Sequence, residues 1–535
     1  MKGASSVSAT GWLHEPRADA GMHFLEDDDT WRYVTYEDIA GRVAALAEVL
    51  TDQNLAGRRL GLVGQTSENF VVQVFATLAA GGTCVPIPFY LPGQDRPAHD
   101  RLVATVLQSA RPYRVLCTDG SEALEGWEAT SVPTYGELSP LGVVKIVASD
   151  APAVVQFTSG STGVPKGVRM SRGRLDGGLT SFRDWMGVSR RDRWATWLPF
   201  WLLWSFFRPI ATQCDTMIMT PLQFMQRPDR WLRCLGEREC TVTTSASFGY
   251  HHVTRTVAPE SLTDCQFDEW RIAGIFGEPI RAADLDEFVE AFGPLGFRRG
   301  AFCPIYGMTE ASRMIAATRP DEEPTVLADD GRRARVDADS VLAEVLHPSA
   351  PADRMIGVGR PTHGVRLAIR LPDGGLAPEG TVGEILIGGD APADGYEGGE
   401  DFGEWVATGD VGCLEDGELF LFGRLTDSFK IRGALVTSPA AERAVRKALP
   451  HVDALVVLPN RRGGAGITVV VESPTPWSPE LTDNARRTVR DLFKKTEVDL
   501  LVVGIGTIPR TATGKPRRRE LWARYMSAGT EGGRP

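Results

Sequence analysis

The sequence predicts an α/β protein, and three observations carry that prediction. Between about residues 35 and 160, segments of helix period alternate with short strand-like runs. Past residue 355, apolar alternations are separated by glycine turns. The last hundred or so residues carry a separate helix–strand pattern. Helix–strand alternation implies a largely parallel sheet covered by helices. At 535 residues the chain is long enough for several cores.

In chain order, TYEDIAGRVAALAEVL has the three-and-four apolar spacing of a helix, and RRLGLVG reads as a short strand. ENFVVQVFATLAAGG is a helix closed by glycines, and TCVPIP is strand-like again. Residues 322 to 355 are charged and alanine-rich, which predicts a loop or insertion. VRLAIRL, EGTVGEILIGG and GELFLFGR predict a small antiparallel barrel or sheet. SPAAERAVRKAL is a helix with Ser438 at its cap and Pro439 in its first turn. VDALVVLP, GITVVVES and VDLLVVGIG read as strands and DNARRTVRDLFKK as a helix. A domain boundary is expected near Arg424.

A net charge of -11 argues against a nucleic-acid partner, which usually meets a basic surface. The eight cysteines are scattered without a C-x-x-C pair, as in a reduced cytoplasmic protein. The N-terminal residues lack the apolar core of a secretion signal. The most apolar stretch, WLPFWLLWSFFRPI, holds a proline and an arginine and is shorter than the roughly 20 residues that span a bilayer. No membrane partner is expected. Only eight of the 58 basic residues are lysine, so each lysine stands out in a chain that otherwise writes positive charge as arginine.

Residues 157–168 read FTSGSTGVPKGV, after the apolar pair Val154-Val155. A Walker loop needs lysine after glycine and a hydroxyl after lysine; here Lys166 lies between Pro165 and Gly167. The physical content survives, because glycine- and hydroxyl-rich backbone offers N–H and O–H donors to oxyanions. A flexible surface loop is the plainer alternative.

Four more motifs follow in order: IYGMTEAS (305–312), WVATGDVG (405–412), GRLTDSFKIRG (423–433) and PRTATGKPRRREL (509–521). With the first stretch they closely resemble the signatures of the adenylate-forming superfamily, which includes acyl-CoA synthetases, fatty acyl-AMP ligases and luciferases. The resemblance covers nearly the whole chain. It implies a large N-terminal domain (1–423) of two α/β subdomains plus a small β-barrel, and a small mobile α+β C-terminal domain (424–535).

The resemblance also implies residue roles. Thr158, Ser159, Gly160, Ser161, Thr162, Gly163 and Lys166 correspond to the loop for the β- and γ-phosphates. Gly277, Glu278 and Pro279 match the segment lining the adenine pocket, and Tyr306, beside Gly307, would lie against adenine. Thr309 and Glu310 approach the α-phosphate, with Glu310 on Mg2+, an oxygen-ligated cation. The plainer reading of Glu310 is an acid at a helix start. Asp410 would accept the ribose hydroxyls with Arg424 assisting, and Lys430 and Gly433 belong to the C-terminal cofactor motif. Lys515 resembles the catalytic lysine that bridges carboxylate and α-phosphate, against the reading of one more cation beside Arg517, Arg518 and Arg519.

Residues 197–232, SASFGYHH and EPIRAADLDEF resemble fatty acyl-AMP ligases, a branch that commonly loads acyl carrier proteins. FKIRGALVTSPAAERAV looks more like a CoA ligase, in which this segment swings into the site for the thioester step. Leu202 stands where relatives usually carry histidine, and Thr426 where they carry aspartate or lysine. If that histidine is a transition-state donor, its loss costs on the order of 3 kcal/mol, ~100-fold or more in rate; if it only gates the acyl pocket, the loss reshapes the pocket instead. Trp201, Leu202, Phe248 and Tyr250 are expected to line the acyl pocket, which the bulky run 200–207 would suit to a large rigid or cyclic acid.

The expectation is an acyl-CoA ligase of specialised metabolism, using ATP/AMP, Mg2+ and coenzyme A on a carboxylic acid or its acyl-adenylate. A variant of this expectation, prompted by Leu202, confines the protein to thioester formation on an adenylate supplied by a partner adenylating enzyme. A fatty acyl-AMP ligase loading an acyl carrier protein, and a catalytically silent nucleotide-binding partner, are the alternatives.

Overall fold

The computed structural model describes residues 7–90, 96–117, 129–131, 142, 144–158, 165–277, 280–327, 355–371, 373–431, 434–449, 452, 454–459, 466–493, 497–510 and 516–528. The helix Tyr36–Asp52 starts where Thr35 accepts from the Asp38 amide, and Glu68–Ala79 where Ser67 accepts from the Phe70 amide. Each cap satisfies one of the amides that a helix start leaves free. Both helices pack into an apolar cluster with Phe200, Leu203, Phe206 and Phe207. The Tyr36 hydroxyl, buried at the start of its helix, donates to the Cys214 carbonyl at 2.6 Å.

Two large sheets carry the N-terminal part. The seven-stranded sheet runs in the order Gly395–Tyr396, Lys166–Met170, Val154–Thr158, Thr83–Pro86, Arg59–Val63, Arg114–Cys117, Ala129–Ser131. Its last four strands pair in parallel, as the alternation predicted, but Val154–Thr158 and Lys166–Met170 form an antiparallel hairpin. The nine-stranded sheet runs Arg360–Pro361, Ala316–Ala317, Phe302–Tyr306, Ile272–Phe276, Val242–Ala246, Arg193–Thr196, Asp215–Ile218, Gly21–Leu25, Trp31–Thr35.

Beyond them lies a four-stranded antiparallel sheet of Val365–Arg370, Gly383–Gly389, Trp405–Glu415 and Glu418–Arg424. Within the expected insertion, the short strand Val326–Leu327 pairs with Met355–Ile356; residues 328–354 are outside the described residues. The C-terminal strands Ala454–Pro459, Gly466–Glu472 and Glu497–Val503 form a separate sheet. The helices Ser438–Ala448 and Pro479–Leu492 close an apolar core over it that includes Val445, Val457, Val469 and Val489. All eight cysteines are free thiols, and no helix among the described residues is long and apolar enough to cross a membrane.

Candidate functional site

In the nine-stranded sheet, Arg193–Thr196, Val242–Ala246, Ile272–Phe276 and Phe302–Tyr306 are parallel neighbours, so their carboxyl ends share one edge. Ligands of open α/β sheets bind outside such an edge. It gathers Trp197–Leu202, the helix Ser247–Thr256, Gly277 and the turn 306–310 in one place. Gly277 leaves its strand at φ 92°, a left-handed conformation that glycine adopts without strain.

Tyr306 ends its strand buried, and its hydroxyl donates to Asp410 Oδ2 at 2.7 Å. Arg424 Nε donates to Asp410 Oδ1 at 2.9 Å. The pair Asp410↔Arg424 is set by the register of Trp405–Glu415 against Glu418–Arg424, and Thr408 Oγ1 accepts from the Asp410 amide. Burial, then the Asp410 charge, raise the Tyr306 hydroxyl well above its usual pKa, so it stays a donor. Burial opposes the charge of Arg424, but Asp410, Asp427, Tyr306 and Glu310 outweigh it and the net shift is upward. A carboxylate has about four acceptor positions, so Asp410 retains capacity for a vicinal diol beside an aromatic wall.

Glu310 lies within electrostatic reach of this cluster. Its Oε1 accepts from the Tyr396 hydroxyl at 3.1 Å. Burial and then the Glu310 charge push that hydroxyl's pKa upward. Lys166 Nζ stands 4.9 Å from the Tyr396 ring centroid, so the same tyrosine links the phosphate-loop lysine to the acid. The lysine is exposed and free to reach an oxyanion. Thr158 pairs with Lys166 across the hairpin, which brackets the loop between them.

The expected Ser159, Gly160, Ser161, Thr162 and Gly163, with Glu278, Pro279, Gly433 and Lys515, lie outside the described residues. Lys430 sits in the strand Ser428–Ile431, opposite Leu435. An antiparallel bridge between Arg510 and Pro516 brackets the segment that holds Lys515. Gly307 and Thr309 follow Tyr306 at the sheet edge, where a Cβ on Gly307 would meet nothing.

The expected acyl-pocket residues separate. Trp201 and Leu202 are half-buried in the turn before the helix Trp204–Thr212, and Leu202 donates its amide to the Pro199 carbonyl. Phe248 is half-buried and stacks on His252 at 5.4 Å. Tyr250 is a core residue: it is 1% exposed, ringed by Trp231, Trp270, Phe288 and Phe302, and its hydroxyl donates to the Gly274 carbonyl. Of the bulky run, Phe200, Leu203, Phe206 and Phe207 are likewise core, while Trp201 and Trp204 keep accessible surface.

Sequence reading missed Tyr396. It belongs to a two-residue strand, too short for any periodicity, but an aromatic beside Gly395, Gly398 and Gly399 in a turn-rich stretch was a readable signal.

The donor set suits a nucleoside triphosphate and its cation. An aromatic wall and a diol acceptor stand at one end; a carboxylate oxygen and a lysine stand at the other. Asp410, Tyr306 and Arg424 would hold the nucleoside, Lys166 the phosphates, and Glu310 would hold Mg2+. Bound there, Mg2+ supplies charge stabilisation to a phosphoryl group.

Comparison with known proteins identifies the family. The chain matches the family model described as AMP-binding enzyme over residues 14–397. It is 27% identical to the medium-chain-fatty-acid–[acyl-carrier-protein] ligase JamA of Moorena producens, over 96% of this chain and 93% of that one. It is also 27% identical to a putative acyl-CoA synthetase of Caulobacter vibrioides, over 89% and 87% of the two chains. A solved structure from work on fatty acyl-adenylate ligases of E. coli and L. pneumophila superposes with a TM-score of 0.84 at 25% identity, covering 98% of each chain. With its motifs in order, a family match over most of its length and a fold that superposes on those enzymes, the chain belongs to the AMP-binding enzyme family, the adenylate-forming superfamily.

Proposed function

We propose that the protein is an acyl-CoA ligase that joins a carboxylic acid, through its acyl-adenylate, to the thiol of coenzyme A. The observation that carries this reading is the Tyr306–Asp410–Arg424 cradle, with Glu310 and Lys166 on its phosphate side. In adenylation, Lys166 and the loop donors hold the departing pyrophosphate while the substrate carboxylate attacks the α-phosphorus in line. Lys515, in the C-terminal lobe (424–535), carries the positive charge shared by carboxylate and α-phosphate. In the second step the thiolate adds to the carbonyl, and AMP leaves with the electron pair of the anhydride oxygen. Coenzyme A as acceptor rests on the C-terminal motif FKIRGALVTSPAAERAV.

Leu202 bears on which half is efficient. It offers no hydrogen bond where relatives carry histidine, so adenylation is the weaker half and a preformed adenylate the better substrate. The second reading, transfer to an acyl carrier protein, is favoured by the likeness to the Moorena producens ligase. One assay separates them. Acid with ATP and Mg2+, or preformed acyl-adenylate, is supplied with either CoA or a phosphopantetheinylated carrier protein. Acyl-CoA formed from the adenylate supports the proposal; product on carrier protein alone supports the second reading. No product in any arm across an acid panel contradicts both.

A further inference from the structure

The helix Trp204–Thr212 carries a cation that no described residue neutralises. Other arginines with buried heads meet oxygens: Arg42 meets Glu68, Arg424 meets Asp410, Arg518 meets Glu442, and Arg172 donates to the Leu78 carbonyl. Arg208 meets two rings instead. Its Cζ lies 4.4 Å from the Phe182 centroid and 5.6 Å from that of Trp204. Aromatic faces attract a cation but accept none of its five N–H bonds in the manner of an oxygen.

Its Nε is fully buried without a hydrogen-bond partner, and among the described residues no group pairs with its guanidinium. Desolvation alone pushes the pKa down to about 10, which still leaves the group charged at neutral pH. Yet the residue keeps accessible surface. The Arg208 head lies between the helices Arg172–Met186 and Trp204–Thr212, over the Phe182 ring, with part of the residue still accessible.

Its neighbour Trp204 reaches toward the reacting end of the site. A Cβ on Gly178 would lie 2.7 Å from Trp204 Cη2 and 2.1 Å from the Ser312 carbonyl oxygen. The Trp204 ring therefore reaches across Gly178 to the turn two residues beyond Glu310. Arg208 follows Trp204 at the i,i+4 spacing that puts both on one helix face. Phe206 and Phe207 occupy the other side, against Phe75 of the helix Glu68–Ala79. Just upstream, Trp201 holds a second orphan, since its buried Nε1 has no partner. A buried cation with unmet donors is expensive unless an acceptor completes it. Among the described residues no such acceptor is present.

We propose that Arg208 is a specificity-determining residue of the acyl pocket, taking an oxygen acceptor, carbonyl or carboxylate, at the end of the acyl group remote from the activated carboxyl. The inference rests on the ligase reading above. It narrows the substrate class from carboxylic acids at large to keto acids or dicarboxylic acids. Trp204 forms the wall between the two ends.

The test uses acylsulfamoyl adenosines, which imitate acyl-adenylates and need no turnover. Three sets are matched in chain length and differ at the far end: methyl, ketone or carboxylate. Calorimetry on the full chain is expected to show the ketone or the carboxylate set binding about tenfold or more tighter than the methyl set. Whichever is preferred identifies the acceptor. Arg208→Met is expected to abolish that preference while leaving the methyl set within about threefold, and without ligand its thermal midpoint is expected to stay level or rise. Arg208→Lys keeps the charge without the planar fork and is expected to retain part of the preference; it also serves if Arg208→Met does not fold.

Equal binding of all three sets to the wild type, or a preference that survives Arg208→Met, overturns the proposal. Failure of every set to bind, the methyl one included, overturns the ligase reading instead.

Discussion

The Tyr306 hydroxyl donates to Asp410 across 2.7 Å, joining the end of a strand in the nine-stranded sheet to the middle of a strand in the four-stranded sheet. This bond fixes the carboxylate on which nucleoside recognition is proposed to depend. Tyr306→Phe leaves Asp410 short of one buried donor, a loss of about 1–3 kcal/mol. Adenylate-analogue affinity is expected to fall about tenfold, with fold stability lowered by a similar energy. Titration calorimetry and urea denaturation check the two separately.

Tyr396→Phe removes the donor to Glu310 while preserving the ring beneath Lys166. Adenylation is expected to drop about tenfold through a mispositioned Glu310, and Glu310→Gln to cost ~100-fold or more by removing the cation's ligand charge. Chelating Mg2+ is expected to stop adenylation and to spare thioester formation from preformed adenylate. Pyrophosphate exchange and thioester release measure the two halves; equal loss in both contradicts the assignment of Glu310 to the first.

Leu202→His restores a donor at the turn before the helix Trp204–Thr212. Where adenylation is the weak half, pyrophosphate exchange is expected to rise by up to ~100-fold. Thioester formation from preformed adenylate is expected to change little. An unchanged exchange rate contradicts the role given to this position.

How far the sequence could be read depended on how local each signal was. Tyr306, Asp410 and Arg424 lie in contiguous motifs, so their roles could be expected, although about a hundred residues separate the first two. Tyr396 could not be found that way, because its strand is two residues long and its meaning comes from Glu310 across the fold. Tyr250 was misassigned against a visible cue. It stands three residues before Val253, and that spacing places both on the buried stripe of their helix. The aromatic run 200–207 divides in the same way: Phe206 and Phe207 meet Phe75, while Trp204 lies against Arg208.

Arg518, one of three arginines that read as a basic tail, is a buried anchor. Its guanidinium donates to both Glu442 oxygens at 2.8 and 2.7 Å and lies 3.6 Å from Asp427. Arg518→Ala leaves the buried Glu442 with the Val457 amide but without its counter-charge, an expected cost of about 3 kcal/mol in the C-terminal sheet and its helices. Replacing the pair together, Arg518→Met with Glu442→Leu, is expected to recover most of it. Urea unfolding checks both.

Stability is expected to fall at alkaline pH. Burial raises the thiols of Cys84, Cys214, Cys234, Cys240, Cys265, Cys303 and Cys413 above 9.0, and the hydroxyls of Tyr36, Tyr250 and Tyr306 well above 10.0. The folded chain holds these protons more tightly than the unfolded one, so their contribution is complete below about pH 9 and is lost as pH rises beyond it. Urea midpoints measured under reductant check the slope; a flat or rising alkaline limb contradicts it.

The central claim is that an acyl-adenylate lies between Tyr306, Asp410 and Arg424. The most direct measurement is calorimetric titration of the full chain with a medium-chain acylsulfamoyl adenosine, alongside Asp410→Ala. The account predicts saturable binding to the wild type, weakened ~100-fold or more by the substitution. Equal affinity in the two proteins, or no binding to the wild type, contradicts it.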